Sequence, residues 1–174
     1  SPQYHTVRVG AERTNERIAF VDPGFFAVFP LRFIEGDPGT ALSTPDKIVI
    51  TESVRERLFG NASAVGQTIE LDTASAVVSG VIADLPRATH LRAPGDAEAP
   101  MQMIAPVSSP NFSARGGGSF DEAFSSLNAY AYFRAAPGAP VDQFARQLSS
   151  IAGGEFRRQR HRLVQRIGVQ ALGA

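Results

Sequence analysis

Histidine is the side chain best suited to holding a transition metal or moving a proton near neutral pH. The chain has three, His5, His90 and His161, far apart and in no HxxH, HExxH or HxH pair. They predict exposed or partly buried imidazoles on loops and element ends, and no metal site. A serine nucleophile would ask for a GxSxG elbow on a strand-to-helix turn, and none is present. Ser79-Gly80 lies between Val78 and Val81 in a β-rich run, where a glycine marks a bulge or a close strand approach. Phosphate cradling would ask for GxxxxGK followed by Ser or Thr, or for GxGxxG after a strand. The Gly116–Gly118 triplet has no lysine or helix signal beside it and reads as a flexible linker.

Carboxylates stand at Glu35, Asp37, Asp46, Glu52, Glu56, Glu70, Asp72 and Asp84. Hydrolysis of a glycosidic type would need two of them facing across a cleft, one with a raised pKa. Their places in loops and on exposed helix faces predict solvated charges instead. One charge cluster joins Arg157, Arg158, Arg160, His161, Arg162 and Arg166, with Glu155 alongside. Base-stacking aromatics do not interleave with it. It predicts a solvated face, or a patch meeting lipid headgroups or a partner, and no nucleic acid. We therefore expect no catalytic, cofactor-binding or metal-binding residue, no cofactor, and no enzyme.

The bulk properties agree. In 174 residues, 43% are hydrophobic and 20% charged, with a formal net charge of zero, so a buried core is affordable and a polyanionic partner is not called for. The chain has no cysteine, which removes disulfides, thiolate zinc sites, iron–sulfur clusters and a cysteine nucleophile. The longest apolar stretch, Ile18 to Ile34, is broken by Asp22, Arg32 and two prolines. It falls short of the ~20 apolar residues a membrane helix needs.

The elements that must carry these residues are β-rich. Tyr4–Val9 and Glu16–Val21 read as strands joined by a polar turn at Gly10–Asn15. Asp22-Pro23 reads as an N-cap and first turn for a helix through Phe25, Phe26, Val28 and Phe29. Leu31–Gly36 is extended and Asp37–Asp46 is a loop. Lys47–Ile50 is a strand, followed by a helix with Val54, Leu58 and Phe59 on its apolar side, stopped by Gly60-Asn61 as a left-handed C-cap pair would stop it. Thr68–Leu71 and Ala76–Ala83 form a hairpin joined at Asp72–Ser75. Pro86–Ser119 loosens into loop, interrupted by Met101–Val107 as one short strand. Leu127–Ala135 is a strand, Val141–Ile151 a helix with i, i+3, i+4 spacing, and Leu163–Leu172 a last strand.

Five blocks in order resemble a known family. They are VDPGFFAVFPLRFIEGDP (Val21–Pro38), KIVITESVRERLFGN (Lys47–Asn61), AVGQTIELD (Ala64–Asp72), VVSGVIADLPRATHL (Val77–Leu91) and NAYAYFRAAPGAPVDQFARQLSSI (Asn128–Ile151). Together they resemble the MacB-like periplasmic core domain of FtsX-like ABC-transporter permeases. The departures are Ala64 where the family usually has proline, Gln67 where lysine is common, and Thr89 where serine is usual.

The resemblance implies an α+β fold. A porter-like α/β part of βαβ type would comprise 1–21 and 92–174, with a smaller β-rich, sabre-like subdomain inserted at 22–91. Family members carry a strand and helix ahead of the first strand seen here, so the porter-like part is expected to be truncated at its N-terminal side. The resemblance also implies a parent anchored by transmembrane helices before Ser1 and after Ala174, driven by a cytoplasmic ATPase and dimeric. The domain would sit in the periplasm, on the outer face of a bacterial inner membrane. Its implied role is non-catalytic: to couple ATP-driven helix motion to an adaptor, lipoprotein, lipid or peptide. Two alternatives stay open, a ligand-sensing domain that binds an antimicrobial peptide through the Pro86–Ser119 loop, and an uncharacterised hydrolase with a carboxylate site.

Overall fold

The computed structural model describes residues 4–71, 74–87 and 100–112, together with Thr89, Leu91, Tyr132, Arg134, Pro140, Gln143, Arg146 and Gln147. Two units are distinguished, Ser1–Tyr132 and Phe133–Ala174. In the second, Gln143, Arg146 and Gln147 are helical, within the stretch where a helix is predicted. The Gln143 amide donates to the Pro140 carbonyl (3.0 Å). His90, His161, the glycine triplet, the arginine cluster and the predicted strand at Leu163–Leu172 lie outside the described residues.

The first unit follows the apolar pattern of its sequence. Its strands are β1 (Tyr4–Val9), β2 (Glu12–Val21), β3 (Phe33–Gly36), β4 (Lys47–Thr51), β5 (Thr68–Leu71), β6 (Ser75–Ile82) and β7 (Met103–Pro106). Two helices join them, α1 (Phe25–Val28) and α2 (Glu52–Phe59). The fold is α+β, as the resemblance implies. The sheet order is β3-β6-β4-β7-β2-β1-β5, and β5 also pairs with β6. The ladders therefore close on themselves through β1, β2, β7, β4, β6 and β5, and β3 sits outside that ring against β6. The β2–β7 and β4–β6 pairs are parallel and the remaining pairs antiparallel.

Alternation along the strands sorts the core into two layers. Ile48 and Ile50 join Val7, Ile18, Ile69, Val78 and Met103 on one face, where Val54 and Leu58 of α2 pack. Val49 turns the other way. It joins Ala19, Ile82 and Ile104 beneath Phe25, Phe26 and Phe29 of α1 and beneath Ala41 and Leu42 of the loop. Each of the larger of these side chains, the valines, leucines, isoleucines, methionine and phenylalanines, is worth roughly 1.5–3 kcal/mol on burial. A four-residue helix cannot stand on its own hydrogen bonds, so this packing holds α1 in place.

Four local predictions are corrected. The β1–β2 turn is only Gly10-Ala11, with Val9 facing Glu12. The polar residues 12–15 extend the strand because a positive φ at Gly10 suits a tight two-residue hairpin. Asp22 does not cap α1. Its carboxylate accepts the Gly24 amide (2.8 Å), and the helix begins only at Phe25, with Gly24 at its N-cap. Gly60 ends α2 at φ 60, ψ −126, which is open to glycine but is not left-handed helical. Pro106 ends β7, so that strand is shorter than the predicted run Met101–Val107.

The Ser79-Gly80 reading holds in detail. Ile48 faces Val78 while Val49 faces Gly80, which leaves Ser79 as the bulged residue. A Cβ on Gly80 would stand 2.6 Å from the Phe33 ring, and one on Gly36 would stand 2.8 Å from the Gly80 Cα. These two glycines let β3 lie against β6. The sheet also runs across the expected subdomain borders. β1 bonds to β5, and β4 to β7.

Candidate functional site

Helix α2 is held by side chains from several strands, and its position follows from register. Parallel β4 and β6 place Thr51 opposite Ile82. Two residues further along each chain, Ser53 and Asp84 are then level. Thr51 occupies the N-cap with no side-chain cap bond of its own. Asp84 serves instead, accepting from the Ser53 amide (3.2 Å) and hydroxyl (2.8 Å). A carboxylate there answers the open amides and the positive end of the helix dipole.

Two arginines on α2 find acids on other strands. Arg55 lies 3.7 Å from Glu35 of β3 and near Glu52 and Glu56 of its own helix (3.8 and 3.7 Å). Glu35 also accepts the Ser63 hydroxyl (2.7 Å). Arg57 meets both oxygens of Glu16 on β2 (2.9 and 2.8 Å). The Glu16 side chain is only 3% exposed and that of Arg57 is 41% exposed, so the arginine brings the compensating charge from the solvent side. Opposite Glu16 in the β1–β2 ladder stands His5, which is fully buried and not exposed or partly buried as predicted, because its ring packs edge-on to Phe20 at 5.5 Å.

An open depression of about 530 Å³ lies beside the start of α2, lined among others by Thr51, Ser53, Asp84, Leu85, Arg87 and Met101. Among the described lining residues Asp84 is the one acid, and it is engaged with Ser53. Of the other carboxylates singled out in the sequence, Glu35, Glu52 and Glu56 gather around Arg55 and the rest are dispersed. Asp37 closes its own turn by accepting from the Gly39 amide (3.0 Å) and the Thr40 hydroxyl (3.3 Å). Asp46 accepts from the Thr44 hydroxyl. That bond first, then its own backbone amide, hold its carboxyl below the ordinary aspartate value; desolvation opposes them, and Lys47 adds a lesser lowering effect. Glu70 pairs with Arg8 across β1–β5 (3.2 Å), both side chains well exposed. Asp72 lies outside the described residues. No three His, Asp or Glu side chains gather as metal ligands among the described residues.

The acid that sequence reasoning missed is Glu16. Its signal was available: Glu16, Ile18 and Phe20 alternate, so the carboxylate must face the same way as Ile18. What the sequence did not offer was its partner, 41 residues away in Arg57.

A family model described as the MacB-like periplasmic core domain matches residues 1–151. Among solved structures, a domain of a putative permease protein from Porphyromonas gingivalis superposes with a TM-score of 0.59 at 16% identity, covering 88% of this chain and 66% of that one. The extracellular domain of the noncanonic ABC-type transporter YknZ from Gram-positive bacteria gives a TM-score of 0.47 at 19% identity, covering 71% and 65%. The periplasmic region of MacB from Actinobacillus actinomycetemcomitans gives 0.46 at 16%, covering 87% and 64%. The chain thus spans just under two thirds of the length of these structures. No curated protein matches it.

Proposed function

The chain belongs to the MacB-like periplasmic core domain family, and from that premise we propose that it is a non-catalytic extracytoplasmic domain of an ABC-transporter permease. In this proposal it carries ATP-driven motion of the parent's membrane helices to a partner or cargo outside the membrane. The partners are those helices and a cytoplasmic ATPase, in a dimeric parent. Outside stands an adaptor, lipoprotein, lipid or peptide. The division into a porter-like part and a smaller inserted part belongs to the same proposal, with the shared sheet as the means by which the two would move together.

The observation that carries the reading is the family match over residues 1–151. Asp84 is in keeping with it: among the described residues lining the depression it is the acid, and it is bonded to the amide and hydroxyl of Ser53, where it serves the framework. The coupling reading is tested in the reconstituted permease with its ATPase. A spin label at exposed Asn61, just past α2, is paired with a label on the ATPase. The distance distribution should shift between the nucleotide-free and ATP-bound states. An unchanged distribution, with ATP hydrolysis intact, would overturn the coupling role.

A further inference from the structure

Helix α2 is held from both sides, and the geometry of that grip has a mechanical consequence. At about 100° per residue, Val54 and Leu58 form one narrow apolar stripe toward the sheet. Ser53 and Arg57 fall about 100° to one side of the stripe and Arg55 about 80° to the other. A helix seated on two apolar side chains alone could roll about its axis. Here each flank is fixed by a carboxylate from a different part of the sheet: Asp84 after β6 and Glu16 on β2 on one side, Glu35 on β3 on the other.

The strands so joined are not neighbours. In the order β3-β6-β4-β7-β2, three strands separate β3 from β2, and α2 lies over two of them, β4 and β6. Among the described ladders β3 pairs with β6 alone, over Phe33, Glu35 and Gly36, with its register broken between Phe33 and Glu35. A short, irregular ladder of that kind is a weak path for force or order. The arginines supply a second path, from β3 through Glu35, Arg55, the body of α2, Arg57 and Glu16 to β2.

We infer that α2 is a transverse tie that makes β3 and β2 move as one body, with Arg55 and Arg57 as its two ends. This inference rests on the contacts and not on the transport reading, so it stands or falls separately and is tested on this chain alone.

Two backbone bonds report on the two ends. The Ala83 amide donates to the Arg32 carbonyl beside β3, and the Val107 amide to the Val21 carbonyl at the end of β2, each at 2.9 Å. Native-state hydrogen exchange is measured on the chain and on Arg57→Met and Arg55→Met. Arg57→Met, which cuts the β2 end, should speed exchange of the Ala83 amide at the far end by about fivefold or more. Arg55→Met should do the same to Val107. Acceleration limited to α2 and the strand that lost its partner would overturn the tie. Should either methionine variant fail to fold, Arg57→Lys and Arg55→Lys keep the charge but lose the guanidinium's reach. They should then give the same crossed pattern at smaller size, and a local-only pattern overturns it equally.

Discussion

The two faces of the sheet are covered in opposite ways. On one face α1 and the 37–46 loop bury an aromatic cluster: Phe26 meets Phe33 edge-on at 4.9 Å, and Phe25 meets Phe29 at 5.0 Å. The polar bonds of that loop are made mostly between residues a few positions apart, as when Lys47 donates to the Thr40 carbonyl and the Ser43 hydroxyl, both at 2.9 Å. On the other face α2 contributes only two fully seated apolar side chains, Val54 and Leu58, and is positioned by charges that reach across the sheet. The first covering is stabilised by burial, which is non-directional. The second is positioned by directional contacts, which fix orientation more than they add free energy. A domain that must keep one element in fixed relation to several strands is served by the second kind.

The contrast predicts that stability lies mainly with the aromatic face. Phe26→Ala removes a buried ring packed against both Phe25 and Phe33 and should cost about 3–5 kcal/mol. Urea unfolding followed by circular dichroism would read this directly. A loss below that of any α2 charge variant would reverse the assignment of roles.

The next effect in size comes from Arg57. Truncating it to alanine leaves the Glu16 carboxylate buried and uncompensated, a situation worth about 3–5 kcal/mol when both partners are interior. Because Arg57 is 41% exposed, water shares its role, and a loss of about 1–2 kcal/mol is expected between the buried and surface limits. Replacing both residues, Glu16→Met with Arg57→Met, should restore most of that stability or exceed it, since paired apolar groups avoid the desolvation penalty. The same unfolding experiment separates the cases. A double variant as unstable as Arg57→Ala would make the ion pair itself a main source of stability and weaken the contrast between the faces.

The two coverings also differ in how far they could be read beforehand. The phenylalanines of Val21–Phe29 announce a buried helix by composition alone, and KIVI announces a strand, whose central place and burial on both faces come from the sheet order. Gly80 announces a bulge or a close approach, the common uses of glycine inside a strand. By contrast, Glu16–Arg57 and Glu35–Arg55 join residues far apart in the chain. Their pairing depends on a sheet order in which β7, late in sequence, enters between β4 and β2. Periodicity reports which way a side chain faces and not which strand lies across from it. Asp84 is intermediate. Its place after a strand was legible, but its use as the cap of α2 follows only from the parallel register of β4 and β6.

The smallest effect is expected in the loop of the aromatic face, at Asp46. Its carboxyl is held below the ordinary value of 3.8 chiefly by the Thr44 hydroxyl. The ionised form is therefore the one the fold prefers. That contribution is present in full above the unfolded value and is lost as the pH falls from 3.8 through the lowered one. Asp46→Asn removes this dependence. Thermal unfolding between about pH 5 and pH 2 should fall slightly more steeply for the parent chain than for the variant, with little difference near neutrality because the group is solvent-facing. If Asp46→Asn cost as much at neutral pH as Arg57→Ala, then bonds between near neighbours in the chain would matter as much as those that span the sheet, and the distinction between the two faces would reduce to one of side-chain type.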